Sequence, residues 1–387
     1  MNTKEKFEKY IMGTYTRQDV CLDRGIKEKI YDEAGKQYID FGSGIGTNSL
    51  GICDDRWVSY VCNQAHKIQH TSNLYYNAPQ GDVAENLCER TGYSKVFFGN
   101  SGAEANECAI KLARKYSFDK YGKGRHNIIT LVNSFHGRTL TTLSATGQDV
   151  FHNYFFPFTE GFIYVEANNI EDLKAKLDDT VCAVMFEYIQ GEGGVLPLER
   201  EFVDAIYSLC EEKDVLTIAD EVQTGVGRTG KFLAGENFGK RANITTLAKG
   251  IAGGLPMGVC LADEKCCDVL SASTHGSTFG GNPVSSAGAM AVLEKVNNDF
   301  MEEVIRKGVY LKGKLLEIEE IERVDGMGLM LGAKLKTKKA GDVVKKAVEN
   351  GVIVLTAKEK LRFLPPLTIS FAEIDKGIEI LKGLLTE

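Results

Sequence analysis

An aspartate closes one apolar run and a lysine follows the next: Thr217-Ile218-Ala219-Asp220-Glu221-Val222-Gln223 is succeeded by Leu247-Ala248-Lys249-Gly250. If Val215–Ala219 and Ile244–Leu247 are successive parallel strands, the acid and the amine stand at their carboxyl ends. Both then point into one crevice, where open α/β sheets bind ligands. Pyridoxal 5'-phosphate requires such a pair: a lysine to hold it as a Schiff base and a carboxylate to keep its pyridine nitrogen protonated. The spacing alone is a weak signal, because lysines often end strands as solvated caps. Gly250, Gly253 and Gly254, together with five further segments, strengthen it.

Asn100-Ser101-Gly102-Ala103-Glu104-Ala105-Asn106 follows an apolar run and opens a helical pattern. Gly102 lets backbone N–H groups approach an anion at a helix N-terminus, which suits the cofactor phosphate; a plain N-cap by Ser101 is the alternative. In Phe135-His136-Gly137-Arg138-Thr139 the aromatic ring can stack on a flat heterocycle. Arg138 can clamp a substrate carboxylate, although such a loop more often carries a surface salt bridge. The same alternative competes for Arg362 in Leu361-Arg362-Phe363-Leu364-Pro365-Pro366. Glu187-Tyr188-Ile189-Gln190-Gly191-Glu192-Gly193-Gly194 sets two carboxylates beside a glycine-rich loop, where they can balance cations, including one of those arginines. His275-Gly276-Ser277-Thr278-Phe279-Gly280-Gly281-Asn282-Pro283 is a hydroxyl-bearing loop that either binds phosphate or merely turns the chain.

The elements that must position these residues alternate between strand-like and helix-like from Lys95 to Leu261, the pattern of a mostly parallel sheet flanked by helices. Strands are predicted at Val96–Phe98, Ile128–Val132, Ala183–Phe186, Val215–Ala219 and Ile244–Leu247. The run Ala103–Tyr116 reads as a helix with Ala105, Cys108, Ala109 and Leu112 on one face. Helices over Pro283–Asn297 and Met301–Ile318 would lead into an α+β region with short strands at Leu329–Leu335, Val352–Leu355 and Leu361–Leu364. Ile30–Asp32 and Tyr38–Phe41 read as a hairpin around Ala34-Gly35-Lys36 that joins this C-terminal part. The expected division is an N-terminal piece of a small domain (1–55), a large cofactor-binding domain (56–290) and the C-terminal remainder of the small domain (291–387).

With 387 residues, the chain is long enough for a large and a smaller domain. Its hydrophobic and charged fractions, 43% and 26%, are those of an ordinary globular protein. A net charge of -7 argues against general nucleic-acid binding. The polar start, Met1-Asn2-Thr3-Lys4-Glu5-Lys6, lacks a secretory core, and no run approaches a membrane span, so a cytoplasmic location is expected. The ten cysteines are scattered without C-x-x-C spacing, so they are read as reduced structural thiols rather than a metal site.

Taken together, Ser101 to Asn106, Phe135 to Thr139, Asp220 to Gly225, Lys249 and Gly276-Ser277-Thr278 resemble, in order and over nearly the whole chain, the class III pyridoxal-phosphate aminotransferases. The resemblance implies the fold type I architecture and an obligate homodimer with shared active sites. It implies Lys249 as the Schiff-base lysine and proton shuttle, Asp220 at the pyridine nitrogen, Gln223 at the phenolic oxygen, and Val222 and Phe135 on the two faces of the ring. Ser101, Gly102 and Ala103 would bind the phosphate from one subunit, and Thr278 from the other. Arg138, with Ser277 nearby, would take a substrate carboxylate. Arg362 would take the second carboxylate of glutamate, and Glu192 would hold Arg362 aside for other donors. The implied reaction moves the δ-amino group of N2-acetyl-L-ornithine to 2-oxoglutarate, giving a semialdehyde and glutamate in arginine biosynthesis; ornithine, succinylornithine or GABA are the alternative donors.

Two departures stand out. Gly51 is followed by Ile52-Cys53-Asp54-Asp55-Arg56 where the family usually has Gly-His-Cys-His-Pro, and Tyr188 replaces a common proline. Gly44 sits about where ornithine-specific relatives carry a tyrosine, a loss expected to leave room for an acyl group on the donor.

Overall fold

Val181–Phe186 is buried at every position, as a continuous apolar run must be when both faces of a parallel strand are covered. In the computed structural model, which describes residues 1–386, it is an interior strand of a seven-stranded sheet. The spatial order is Lys95–Gly99, Gly258–Ala262, Ile244–Leu247, Leu216–Asp220, Val181–Phe186, Asn127–Leu131, Phe162–Val165. Pairing is parallel between Leu216–Asp220 and both of its neighbours, and on through Asn127–Leu131 to Phe162–Val165. Only Gly258–Ala262 runs against its neighbours. Its direction follows from the link 248–257, which is too short for the parallel crossover of about a dozen residues or more.

The predicted strands of the large sheet are present, Ile244–Leu247 with the expected bounds and the others shifted or extended by a residue or two, whereas the expected Val352–Leu355 is divided between two sheets as Val352–Ile353 and Leu355–Ala357. Phe162–Val165 is an addition: it is a half-buried edge strand, and its four residues give neither a long apolar run nor an alternation. The helix Gly102–Tyr121 buries the expected Ala105, Cys108, Ala109 and Leu112, small enough to let it lie close to the sheet. Beyond the sheet, the helices run over Pro283–Lys295 and Asn298–Leu316. The second begins earlier than predicted because the Asn297 side chain accepts from the Phe300 N–H at 2.9 Å and caps it.

The N-terminal hairpin pairs Lys29–Asp32 with Gln37–Asp40. On its far edge the C-terminal strand Val352–Ile353 adds in parallel, Val352 opposite Ile39. A second antiparallel sheet contains Ile321–Met327, Met330–Leu335, Lys360–Phe363 and Leu355–Ala357. Against it lies the helix Ala340–Glu349, whose buried Ala340, Val343, Val344, Ala347 and Val348 recur at i, i+3, i+4, i+7 and i+8, one apolar stripe. Arg362 is thereby placed on a strand from the C-terminal part of the chain, facing the edge of the large sheet where Glu192 lies.

The two sequence departures have local explanations. Ile52 bridges Lys27 through two backbone hydrogen bonds of 2.7 Å. Asp54 caps the helix Asp55–Ala65 by accepting from the Trp57 N–H at 3.0 Å. Tyr188 is buried, stacks on Phe238 at 5.1 Å and shares a 2.6 Å hydrogen bond with the Tyr207 hydroxyl. Among the described residues no helix is long and apolar enough to cross a membrane, and no group of His, Cys, Asp or Glu side chains is arranged to hold a metal ion.

Candidate active site

The carboxyl ends of the parallel strands lie on one sheet edge, and the antiparallel strand contributes its beginning there. The edge opens into a cavity of about 420 Å³. All of the predicted site residues except Ser277, Thr278 and Arg362 line it. Its size lies in the range of small-molecule and cofactor sites, about 300–1,000 Å³.

At one end, strand Lys95–Gly99 turns at Ser101 into the helix Gly102–Tyr121. The Ser101 hydroxyl accepts from the Glu104 N–H at 3.2 Å, so the capping alternative is realised. The same cap leaves the first-turn N–H groups of Gly102 and Ala103 at the cavity wall, where the helix end favours an anion. Residue 102 has no room for a side chain: a Cβ there would stand 2.8 Å from Val222 Cγ1. Glycine therefore lets the phosphate end of the slot close directly onto Val222.

Asp220 sits at the strand end, 4% exposed. Its Oδ2 accepts from Asn106 Nδ2 and lies the same 2.8 Å from His136 Nδ1, while Oδ1 accepts from the Val222 N–H at 3.0 Å. Asn106 is itself fixed by a 2.7 Å hydrogen bond from the Thr246 hydroxyl and by its own bond to the His136 carbonyl, also 2.7 Å. A buried carboxylate held in this way keeps one orientation toward the cavity. Lys249 begins the turn after Leu247 with φ of 43°, a left-handed conformation that costs a non-glycine residue about 1–3 kcal/mol. Burial lowers the pKa of its amine, against the opposing pull of Glu192 and Asp220. A lysine depressed in this way gains the neutral fraction that a base or nucleophile needs.

Behind the cavity-lining Glu192 and Gln223, Arg362 Nη1 donates to Glu192 Oε1 at 2.5 Å and to Gln223 Oε1 at 3.3 Å. Gln223 Nε2 donates to the same glutamate oxygen at 3.3 Å. Burial alone would raise the Glu192 carboxyl, but the Arg362 guanidinium outweighs it and holds it below its ordinary value. Arg362 is 4% exposed and its Nε has no partner, so this arginine is a packed, paired group with a spare donor and not a surface ion pair. Arg138 is exposed; its guanidinium lies over Phe151 at 4.4 Å and Phe135 at 5.5 Å, and it pairs with no carboxylate among the described residues. Glu187 lines the same cavity, and burial pushes its carboxyl up to about 7.

Three predicted contributors lie elsewhere. The Ser277 hydroxyl accepts from Asn100 Nδ2 at 3.2 Å and from the Gly280 N–H at 3.0 Å, which places it beside the segment that opens the helix Gly102–Tyr121. Thr278 is exposed and outside the cavity of its own chain. Gly44 borders a neighbouring groove with Ile45 and Asn48; from that segment it is Thr47 that reaches the cavity. Conversely, sequence reasoning assigned no part to Asn106, His136 or Thr246 around Asp220. Asn106 was within reach, being on the helical face that starts at Gly102, but the partners lie 84 and 114 residues from Asp220.

A flat, phosphorylated heterocycle fits these residues. The helix-end N–H groups suit its anion, Phe135 and Val222 offer apolar surface to its ring, Asp220 offers a carboxylate to a ring nitrogen, and Lys249 offers an amine. This fold and this site define a pyridoxal-phosphate-dependent enzyme. The family described as Aminotransferase class-III matches residues 12–385. The acetylornithine aminotransferase of Haemophilus ducreyi is 48% identical over 380 residues, covering 98% of this chain and 97% of its own. Among solved structures, the ornithine aminotransferase of Toxoplasma gondii superposes with a TM-score of 0.94 at 31% identity, over 100% of this chain and 96% of its own. The N-acetylornithine aminotransferase of Stenotrophomonas maltophilia does so with a TM-score of 0.85 at 34% identity, over 96% of each chain. The chain belongs to the class III aminotransferases.

Proposed function

We propose that this protein transfers the δ-amino group of N2-acetyl-L-ornithine to 2-oxoglutarate, reversibly, giving N-acetyl-L-glutamate 5-semialdehyde and L-glutamate. The observation that carries this reading is the Lys249–Asp220 pair at one cavity in a chain nearly half identical, end to end, to an acetylornithine aminotransferase. The reaction belongs to arginine biosynthesis, and we place the enzyme in the cytoplasm.

Bound pyridoxal phosphate supplies an electron sink that makes the carbon bearing the amino group acidic. Lys249 would hold the cofactor through its Nζ, and once freed by the donor amine the same Nζ would act as the base that takes the proton from the donor's δ-carbon. Asp220, fixed by Asn106, keeps the ring nitrogen protonated, because a carboxylate beside it favours the charged form. Phe135 and Val222 would hold the ring between them, Gln223 would take the phenolic oxygen, and Ser101, Gly102 and Ala103 would take the phosphate.

Arg138 receives the carboxylate of the donor. Arg362 receives the second carboxylate of glutamate or 2-oxoglutarate after leaving Glu192, and returns to Glu192 for a donor without that charge. Arg138→Ala is expected to lower kcat/KM about tenfold or more for both substrates, the loss of a charge-assisted contact worth about 1.5–3 kcal/mol. Unchanged kinetics would reduce Arg138 to its stacking on Phe151.

The active unit is a homodimer in which Thr278 enters the partner's phosphate site. The exposed Leu74, Tyr75 and Tyr76 support this: Asn73 Nδ2, just before them, donates at 2.9 Å to the carbonyls of Ser277 and Gly280, which joins that apolar surface to the Thr278 loop. The division into residues 1–55 and 291–387 against 56–290 is our proposal for the domains.

The donor is tested by kcat/KM of the cofactor-loaded protein for N-acetylornithine, N-succinylornithine, ornithine and GABA, each with 2-oxoglutarate. Preference for the acetyl compound supports the reading. Preference for free ornithine or GABA keeps the lysine chemistry and replaces the substrate.

A further inference from the structure

Glu187 is a buried carboxylate at the cavity, and the lysine chemistry leaves it without a task. Its two oxygens are both engaged, by different loops. Oε1 accepts the N–H of Phe135 at 2.8 Å, and Oε2 accepts the N–H of Gly191 at 3.1 Å. Phe135 belongs to the loop after strand Asn127–Leu131, and His136 in that loop reaches Asp220. Gly191 opens the turn that carries Glu192, the partner of Arg362. That turn is tight: a Cβ on Gly191 would stand 2.3 Å from Gln223 Oε1, so its backbone lies directly against the Gln223 amide.

We propose that Glu187 is a positioning residue for the transamination: its carboxylate clamps the Phe135 loop to the Gly191 turn, and so keeps the ring-stacking face in register with the Glu192–Arg362 pair. The inference rests on the cofactor reading above. It requires a group with two acceptors and no donor, which only a carboxylate supplies. Each oxygen satisfies a backbone N–H that would otherwise lie unpaired in the buried wall, a costly state. Its position on the strand-end segment between the two loops lets one rigid element serve both. His136, Asp220 and Lys249 face the same carboxyl electrostatically; the clamp needs its ionised form, which the two N–H groups of Phe135 and Gly191 favour against burial.

Glu187→Gln separates this role from bulk. Glutamine keeps the shape but has one acceptor oxygen and an NH2 group, so it can serve one of the two N–H groups and must turn N–H against the other. In the cofactor-loaded enzyme, hydrogen–deuterium exchange of segments 133–138 and 189–194 is expected to rise in both by tenfold or more. The visible circular dichroism of the bound cofactor should weaken at unchanged cofactor content. Single-turnover rates should fall about tenfold or more with the amino donor and with glutamate alike. Glu192→Gln, by contrast, should slow mainly the glutamate half. Wild-type exchange in both segments, or loosening of one alone, overturns the clamp. If Glu187→Gln does not fold, Glu187→Asp, too short to reach both loops at once, is read by the same paired exchange. A wild-type enzyme that does not transaminate would defeat the functional reading instead, independently of these variants.

Discussion

Lys249→Ala is expected to lower steady-state transamination by at least about 10³-fold and to remove the visible absorbance of the lysine-linked cofactor. Two losses combine. A positioned base contributes typically 10²–10⁴-fold to proton transfer, and alanine leaves no group to carry the proton. The covalent hold on the cofactor, which splits one difficult exchange into easier steps, is lost as well. The structure explains why no neighbour substitutes. Lys249 is pressed into a left-handed turn at φ of 43°, so its amine enters the cavity from a backbone position that the following residues cannot reproduce. Arg362 is committed to Glu192 and Gln223, and a guanidinium has no acceptor to take up the proton. Retained turnover in this variant, measured as glutamate formed over many cycles, would remove Lys249 from the chemistry. Adding a small exogenous amine should restore part of the rate if the proton step is what was lost.

Asp220→Ala carries the second large effect, a fall in kcat/KM of about 10²-fold or more with the protein still folded. The carboxylate favours a proton on the ring nitrogen, and a charge-assisted hydrogen bond of this kind is worth about 1.5–3 kcal/mol, or one to two pKa units. Without it the ring nitrogen loses its proton near neutral pH and drains less charge from the reacting carbon. Truncation also leaves Asn106 Nδ2 and His136 Nδ1 facing a void where they had shared one oxygen. Asp220→Asn tests the charge alone: it keeps the volume and an acceptor, so a loss nearly as large as in the alanine variant assigns the effect to the negative charge. A rate within a few-fold of wild type in the asparagine variant would assign Asp220 to packing. Kinetics should be paired with cofactor content, because weaker retention and slower chemistry move KM and kcat differently.

Much of this was written locally in the chain. The strand ends at Asp220 and before Lys249, the helix opening at Ser101 and the order of the motifs are sequence-near features, set by apolar periodicity, capping and turn chemistry over a few residues. So was the apolar stripe of Ala340–Glu349. From those residues the cofactor could be named, and a lysine and an acid proposed to hold it. What the sequence could not determine were contacts across the sheet edge. Asn106, His136 and Asp220 meet because strand order brings three separate loops together, and that order is decided by how crossover helices pack. The same holds for Arg362 and Glu192, 170 residues apart, which meet only when the C-terminal sheet docks against the large one. The reversed direction of Gly258–Ala262, the double grip of Glu187 and the outward position of Thr278 are likewise tertiary. A residue's type and neighbours specify what chemistry it can do. Which group it does it with depends on long-range packing, where the free energy comes from burying whole elements together and no short window of sequence records it.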